Sequence, residues 1–359
     1  MASRADAPRG ARRGISVGGV AVGAGARVSV QSMTTTKTSD VAATAAQISR
    51  LRDAGCDIVR VAVPDMDSAI AIGELKKMCG VPIVADIHFD HRLAIAAARA
   101  GADKIRVNPG NIGAPERVRA VAECCRERSI PIRVGVNGGS LERGILEKYG
   151  GASAEALAES ALRQAGELRG FGFEDICLSV KSSDVGVMVD AYRLLHERCG
   201  YPLHLGVTEA GTEFNGIIKS AVGIGALLYE GIGDTIRVSL TAPPEREVEA
   251  GVAILRAAGL RGRGIEVISC PTCGRTEVDL FTIVHDVETR LRGLAELHGD
   301  MTVAVMGCAV NGPGEARAAD YGIACGAGAG VVFKKGEVVK RAPADRLADE
   351  LIGVITGGG

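Results

Sequence analysis

Short runs rich in Val and Ile recur at regular intervals from residue 27 to about residue 259, separated by stretches in which Ala and Leu alternate with charge. The runs are RVSVQSM from Arg27, IVRVAVP from Ile58, VPIVADI from Val81 and KIRVNPG from Lys104, then PIRVGVNG from Pro131, ICLSVKS from Ile176, LHLGVTEAG from Leu203 and TIRVSLT from Thr235. Apolar runs of this kind mark parallel strands buried on both faces, and stretches such as AATAAQISRLRDAG and AEALAESALRQAGELRG supply the helices that cover them. Eight strands, each followed by a helix, is the count that closes a (β/α)8 TIM barrel, where an open doubly wound sheet would usually be shorter. Upstream, ISVGGVAVG alternates around a Gly-Gly turn and predicts a hairpin that plugs the barrel, preceded by a disordered tail over 1–14.

After Arg261-Gly262-Arg263-Gly264 the rhythm changes, which divides the chain into a barrel over 15–260 and a small α+β domain over 261–359. In the second part a strand from Ile265 to Ser269 runs into Cys270, and a helix is expected over about 276–297. A strand from Met301 to Met306 leads to Cys308. A Gly-rich loop, three short strands (YGIAC, GVVF, EVVKR) and a final helix from Pro343 complete it.

Composition sharpens this picture. Apolar residues make up 47% of the 359, but aromatics only 3% and Trp none, so the core is built from Val, Ile, Leu and Ala. A net charge of −1 provides no global field for nucleic acid or an anionic membrane, and anion recognition has to be local. Ten cysteines without a secretory pattern point to reduced thiols in the cytoplasm, some of them ligating metal. Arg12-Arg13 before an apolar stretch superficially resembles a leader, but its glycines make a poor helix, and no membrane span is predicted.

Alternation along each strand places residues i and i+2 on one face. Arg60, Arg106, Arg133, Lys181 and Arg237 then interrupt five apolar runs at comparable places, followed on the same face by Asn108, Asn137, Ser183 and Ser239. Asp86 and His88 share a parity on the third strand, and Glu209 ends the seventh. Unpaired charges inside a barrel are costly, and two carboxylates cannot neutralise five cations. The missing counter-charge is expected to be a phosphate or diphosphate ligand at the C-terminal ends of the strands, beside the loops NPGNIG, VNGGS and VKSSD.

Cys270-Pro271-Thr272-Cys273 places two thiols on one turn, with Cys308 as a third. The spacing admits a zinc site, a redox dithiol or an iron–sulfur cluster, with Cys325 and Glu315 as candidates for a fourth ligand. Cys56, Cys79, Cys124, Cys125, Cys177 and Cys199 read as small buried hydrophobes.

The succession VQSMTTTKTSD, VADIHFD, IRVNPGNIG, IRVGVNGGSL, LSVKSSD, GVTEAG, SLTAPP, SCPTCGRTEVDL and MGCAVNGPGEA closely resembles the 4-hydroxy-3-methylbut-2-enyl diphosphate synthase family of the methylerythritol phosphate route to isoprenoids, in its bacterial two-domain form. The resemblance implies a [4Fe–4S] cluster held by Cys270, Cys273, Cys308 and Glu315, and a diphosphate bound by Arg60, Arg106, Arg133, Lys181, Arg237 and Ser239. It places Asp86, Asn137 and Glu209 around the reacting carbons, with Glu209 as candidate proton donor. The implied reaction is the reductive opening of 2-C-methyl-D-erythritol 2,4-cyclodiphosphate to the linear hydroxymethylbutenyl diphosphate, with electrons from reduced flavodoxin or ferredoxin. It also implies a homodimer whose active site is shared between subunits. Two other readings share the cationic barrel: a non-redox transferase or lyase with a zinc-stapled domain, and a phosphoester-binding sensor without catalysis.

Overall fold

The computed structural model describes residues 12–276, 278–292, 294, 299–308 and 318–357. The chain divides into two compact units, one ending at Arg261 and the other beginning at Gly262.

The first unit is an eight-stranded, all-parallel barrel. Its strands are β3 (Ser29–Met33), β4 (Ile58–Ala62), β5 (Ile83–Asp86), β6 (Lys104–Val107), β7 (Ile132–Asn137), β8 (Ile176–Lys181), β9 (His204–Leu205) and β10 (Thr235–Ile236). They pair in the order β8-β7-β6-β5-β4-β3-β10-β9. The ring is closed between β8 and β9 by a single parallel bridge, Leu178 to Leu203, with Leu178 N–H donating to the Pro202 carbonyl at 2.9 Å. The parallel eight-stranded expectation is thus met, but β9 and β10 are far shorter than LHLGVTEAG and TIRVSLT suggested. Beyond Leu205 the chain leaves the ladder. Arg237 N–H still donates to the Leu205 carbonyl at 2.9 Å, but Thr208 N–H turns to Ser182 at 3.2 Å.

Covering helices begin where a short polar side chain takes up a free backbone N–H. Asp40 caps α1 (Val41–Asp53), Asp65 caps α2 (Met66–Met78), Asp90 caps α3 (His91–Ala100), Ser153 caps α7 (Ala154–Gly170) and Asp184 caps α8 (Val185–Arg198). Each such cap contributes about 1 kcal/mol. The remaining helices of this unit are α4 (Pro109–Ile112), α5 (Pro115–Glu127), α6 (Arg143–Tyr149), α9 (Glu213–Tyr229) and α10 (Pro244–Ala257).

Strand parity sorts the side chains. Val59, Val61, Ile83, Ala85, Ile105, Val107, Ile132 and Val134 belong to the core shared with the helices. Ile58, Val84 and Cys177, of the opposite parity, pack against Ile15, Val17 and Val22 of the hairpin β1 (Ile15–Val17) and β2 (Val20–Val22), which is the expected plug. Arg12 and Arg13, assigned to a disordered tail by the sequence reading, are instead tied down. Arg12 donates to the Tyr201 carbonyl at 2.7 Å and bonds His196, and Arg13 N–H donates to Gly200 at 2.7 Å. The positive runs of their side chains meet carbonyl and carboxylate acceptors, Glu174 among them, a tertiary match that a local reading does not reveal.

The second unit is a five-stranded sheet in the order β11-β12-β13-β14-β15: β11 (Ile265–Ser269), β12 (Met301–Met306), β13 (Tyr321–Cys325), β14 (Ala329–Lys334) and β15 (Glu337–Pro343). The first three strands run parallel and the last two antiparallel. Helices α11 (Leu280–Arg292) and α12 (Leu347–Thr356) place Leu280, Val287, Leu291, Leu347, Leu351 and Ile355 in its core. Helix α11 starts at Leu280 rather than 276, because the Asp279 carboxylate accepts the Thr282 N–H at 3.2 Å and hydroxyl at 2.6 Å. Helix α12 starts at Leu347 rather than Pro343, which closes β15 before a 3-10 turn over Ala344–Arg346.

Candidate active site

A cavity of about 290 Å³ opens at the C-terminal ends of the barrel strands. Arg60, Arg106, Arg133, Lys181, Arg237 and Ser239 all line it, with Asp86 and Asn137. Their convergence follows from register: Asp86 lies opposite Arg106, Arg106 opposite Arg133, and Asn137 opposite Lys181 on successive strands. Met33, His88, Gly135, Ser179 and Thr208 complete the lining. Ser179 shares the parity of Lys181 on β8, so the sequence carried a signal for it. Thr208 lies past the end of β9, where parity has no pleat to follow.

Three polar candidates lie elsewhere. Asn108 caps α4 through Gly110 N–H and donates to the Ser140 hydroxyl at 3.1 Å. Ser183 is exposed in the loop before α8. Glu209 is exposed, follows the lining residue Thr208, and holds a left-handed backbone with φ +50°. That conformation is uncommon for a non-glycine residue, and such strained residues cluster at functional sites.

The charges do not balance. Asp86 accepts from Arg106 at 3.1 Å and stands 3.8 Å from Arg60 and 3.6 Å from His88. Burial alone would raise its carboxyl, but Arg60, His88, Arg106 and Arg133 together hold it far below the usual carboxylate range. Arg237 is held by a residue the sequence reading missed, Glu247 of α10, at 3.2 Å; Glu247 also accepts the Ser32 hydroxyl at 3.0 Å and Leu240 N–H at 3.1 Å. Among the described residues no carboxylate lies within 4.0 Å of Arg133 or Lys181. Arg133 is 1% exposed, and its Nε and Nη1 have no hydrogen-bond partner. Desolvation, compounded by neighbouring guanidiniums, pulls Lys181 well below its ordinary value and Arg133 down to about 10.

Two glycines make room for this cluster. A Cβ on Gly135 would lie 2.7 Å from Arg106 Nε, and one on Gly206 would lie 2.7 Å from the Arg237 carbonyl and 3.0 Å from Lys181 Nζ. Glycine here lets guanidinium and ammonium groups settle against backbone. The result is a concave, cation-rich pocket with unused donors, suited to a compact polyanion.

In the second unit, Cys270 directly follows β11 and Cys308 lies just past β12, its parallel neighbour in the sheet. Gly307 N–H donates to Cys270 Sγ at 3.2 Å. Cys273 is exposed, and backbone and side-chain bonds from Arg275 lower its thiol. Cys325 is fully buried in the core, where desolvation, with a smaller push from Cys270, raises its thiol to about 11; that disfavours it as a thiolate ligand. Glu315 lies outside the described residues. Among those described, no three Cys, His, Asp or Glu side chains stand close enough to hold a metal ion as they are. The donor set is nevertheless chemically suited to an iron–sulfur centre: soft sulfurs from adjacent strand ends, one exposed with a lowered pKa, and an N–H···S bond of the type that tunes such centres.

Comparison with known proteins covers both units. The family model described as the GcpE TIM-barrel domain matches residues 12–252, and the GcpE protein C-terminal domain matches residues 266–357. The chain belongs to the GcpE family. Among GcpE relatives, the protein of Clostridium acetobutylicum named 4-hydroxy-3-methylbut-2-en-1-yl diphosphate synthase (flavodoxin) is 55% identical over 340 residues, covering 95% of this chain and 97% of its own. That of Ruminiclostridium cellulolyticum, with the same name, is 54% identical over 338 residues, covering 94% and 95%. A solved dihydropteroate synthase from Stenotrophomonas maltophilia shares the barrel fold alone: TM-score 0.50 and 15% identity, over 68% of this chain and 96% of that one. No helix among the described residues of this GcpE chain is long and apolar enough to cross a membrane.

Proposed function

We propose that this chain is a 4-hydroxy-3-methylbut-2-en-1-yl diphosphate synthase, an oxidoreductase that opens 2-C-methyl-D-erythritol 2,4-cyclodiphosphate reductively to (E)-4-hydroxy-3-methylbut-2-enyl diphosphate. The observation that carries the reading is a cavity with five cations and a single lining carboxylate, in a chain over half identical to synthases of that name along nearly its whole length. In the reaction two electrons and a proton enter, a carbon–oxygen bond to the bridging diphosphate breaks, and a hydroxyl leaves as water.

Arg133 and Lys181, which have no carboxylate within 4.0 Å among the described residues, take the phosphate oxygens most directly. Asp86 holds Arg60 and Arg106 in place while Glu247 holds Arg237, so the cationic surface is arranged before the ligand arrives. Asn137 and Ser239 offer neutral donors at the same rim. Glu209 is the proton donor in this reading, its strained backbone consistent with a functional position. A [4Fe–4S] cluster would be held by Cys270, Cys273, Cys308 and Glu315, and when bound it supplies electrons singly and a Lewis-acidic iron. Flavodoxin, named with the relatives, is the proposed donor, with ferredoxin as the substitute. A cytoplasmic location and a homodimer are the proposed setting and assembly.

The deciding experiment is iron, acid-labile sulfide and zinc per chain on protein prepared without oxygen, followed by turnover of the cyclodiphosphate with reduced flavodoxin. About four iron and four sulfide with formation of the linear diphosphate is the expected result. Roughly one zinc without sulfide, and no reductive turnover, would leave a non-redox transferase or lyase acting on a phosphorylated substrate.

A further inference from the structure

Beneath the cavity, towards the hairpin plug, the barrel interior contains a cation that no step above uses. Lys104 precedes Arg106 by two residues on β6 and therefore shares its inward parity. It lies opposite Val84, which packs against the plug. Its side chain is 0% exposed, and among the described residues Nζ has no hydrogen-bond partner. The groups that face it are Cys177 on β8, Arg133 on β7 and Arg60 on β4, with His204 on β9 close enough to feel its charge. Asp86, the carboxylate of the cavity wall, is bonded to Arg106 and Arg60, and Asp234, near Cys177, accepts Leu203 N–H at 2.8 Å.

A buried ammonium without a partner is among the most unfavourable groups a fold can carry. Its neighbours make matters worse, since two of them are the guanidiniums that line the cavity above. Such an arrangement is rational if charge arrives from outside. Lys104 cannot reach the cavity surface, which it does not line, but in a low-dielectric interior its field extends over the distance of one strand layer.

We propose that Lys104 is a sixth cation of the anion site, acting from below through Arg133 and Arg60 rather than by touching the ligand. By occupying the space beneath them, it denies the two guanidiniums a downward counter-charge and keeps the unpartnered Nε and Nη1 of Arg133 available to the diphosphate. It is thus a positioning residue, and its role rests on the diphosphate reading of the cavity. Desolvation above all pulls its amine down to about 8; Cys177 opposes this, and Arg133 and Arg60 each add a smaller downward push. At pH 7 it is largely charged without ligand, and it loses that charge as pH rises through about 8. A bound polyanion draws the proton back.

The test uses the full-length, cluster-loaded protein and inorganic pyrophosphate, with affinity read by calorimetry and stability by the heat-unfolding midpoint. Lys104→Met removes the charge at nearly constant volume, and Lys104→Gln does so with a polar chain should Met pack badly. Without ligand the variant is expected to unfold at a higher temperature than wild type, because an unpaired buried charge has gone. At pH 7 its pyrophosphate affinity is expected to fall on the order of tenfold. The wild-type to variant affinity ratio should shrink toward one by about pH 9.5, where the wild-type amine is neutral, while Lys104→Arg, charged throughout, should match wild type at pH 7 and bind more tightly than wild type at pH 9.5. The ratio cancels pyrophosphate's own titration. Equal affinities at pH 7, or a ratio constant from pH 7 to 9.5, would overturn the role of Lys104 and leave the cavity reading intact. No pyrophosphate binding by wild type would overturn both.

Discussion

The barrel cavity and the cysteine edge of the second unit are built on opposite plans. In the barrel, four of the five cations stand on strands, on a scaffold whose register fixes their spacing; Arg133 is 1% exposed and is the second residue of β7. In the second unit the chemistry-bearing groups stand just beyond strand ends, on loops, and Cys273 is exposed. In the proposed function the first plan holds charges in an unfavourable state until the anion arrives, so the site is organised in advance. The second leaves soft donors accessible, so that the proposed cluster would complete the local structure. A polyanion binds by field and geometry together and gains from preorganisation, whereas thiolate–metal bonds are strong enough to order a loop.

The largest effects should come from breaking the loop plan. Cys270→Ser removes a sulfur at the end of β11 together with the acceptor of Gly307 N–H. Iron per chain and turnover should both be lost, while pyrophosphate binding to the barrel persists. Retained iron would remove Cys270 from the ligand set. Next, Glu315→Ala is expected to leave iron bound and largely abolish turnover; full activity in that variant would exclude Glu315 from the mechanism.

Smaller losses should follow changes in the barrel, with iron content unaffected. Arg133→Ala should weaken pyrophosphate binding by roughly 1.5–3 kcal/mol, the size of one charge-assisted hydrogen bond, and an unchanged affinity would show that its unpartnered donors do not serve the ligand. Gly135→Ala places a methyl 2.7 Å from Arg106 Nε and should raise KM by displacing that guanidinium. Normal kinetics would mean that Arg106 has room to move without cost.

The smallest effect concerns pH. Because Asp86 is held far below the ordinary carboxylate range by its cationic neighbours, its stabilising contribution is complete above the unfolded value of about 3.9 and is lost only as pH falls below it. Between pH 9 and 5 protonation of Asp86 should therefore not narrow the stability gap between wild type and Asp86→Asn. A gap already narrowing from pH 7 to 5 would break the ion-pair assignment of Asp86 with Arg60 and Arg106.

Much of the site was legible because a strand has a period of two. Five cations on five strands could be placed on one face before any contact was known, and all five line one cavity. The same rule failed where the strand ended: Asn108 turned to cap a helix, and Ser183 and Glu209 lie in loops outside the pleat. Glu247 was invisible for another reason, since a glutamate in the first turn of α10 looks like ordinary helix-end charge until the helix packs against β3 and brings it to Arg237. Lys104 read as a polar start to a strand, because only the closed ring shows that its side chain has nowhere else to go.

The sequence by itself determined the alternation of strands and helices, the inward parity of the cations, the paired cysteines and the family to which the chain belongs. All of these are local or short-range patterns, written in spacing. Tertiary structure alone decided which charges are neutralised and which are left waiting. That outcome depends on side chains brought together from distant strands and helices, on glycines that leave room beside Arg106 and Lys181, and on burial, which converts an ordinary surface cation into one that lacks an anion.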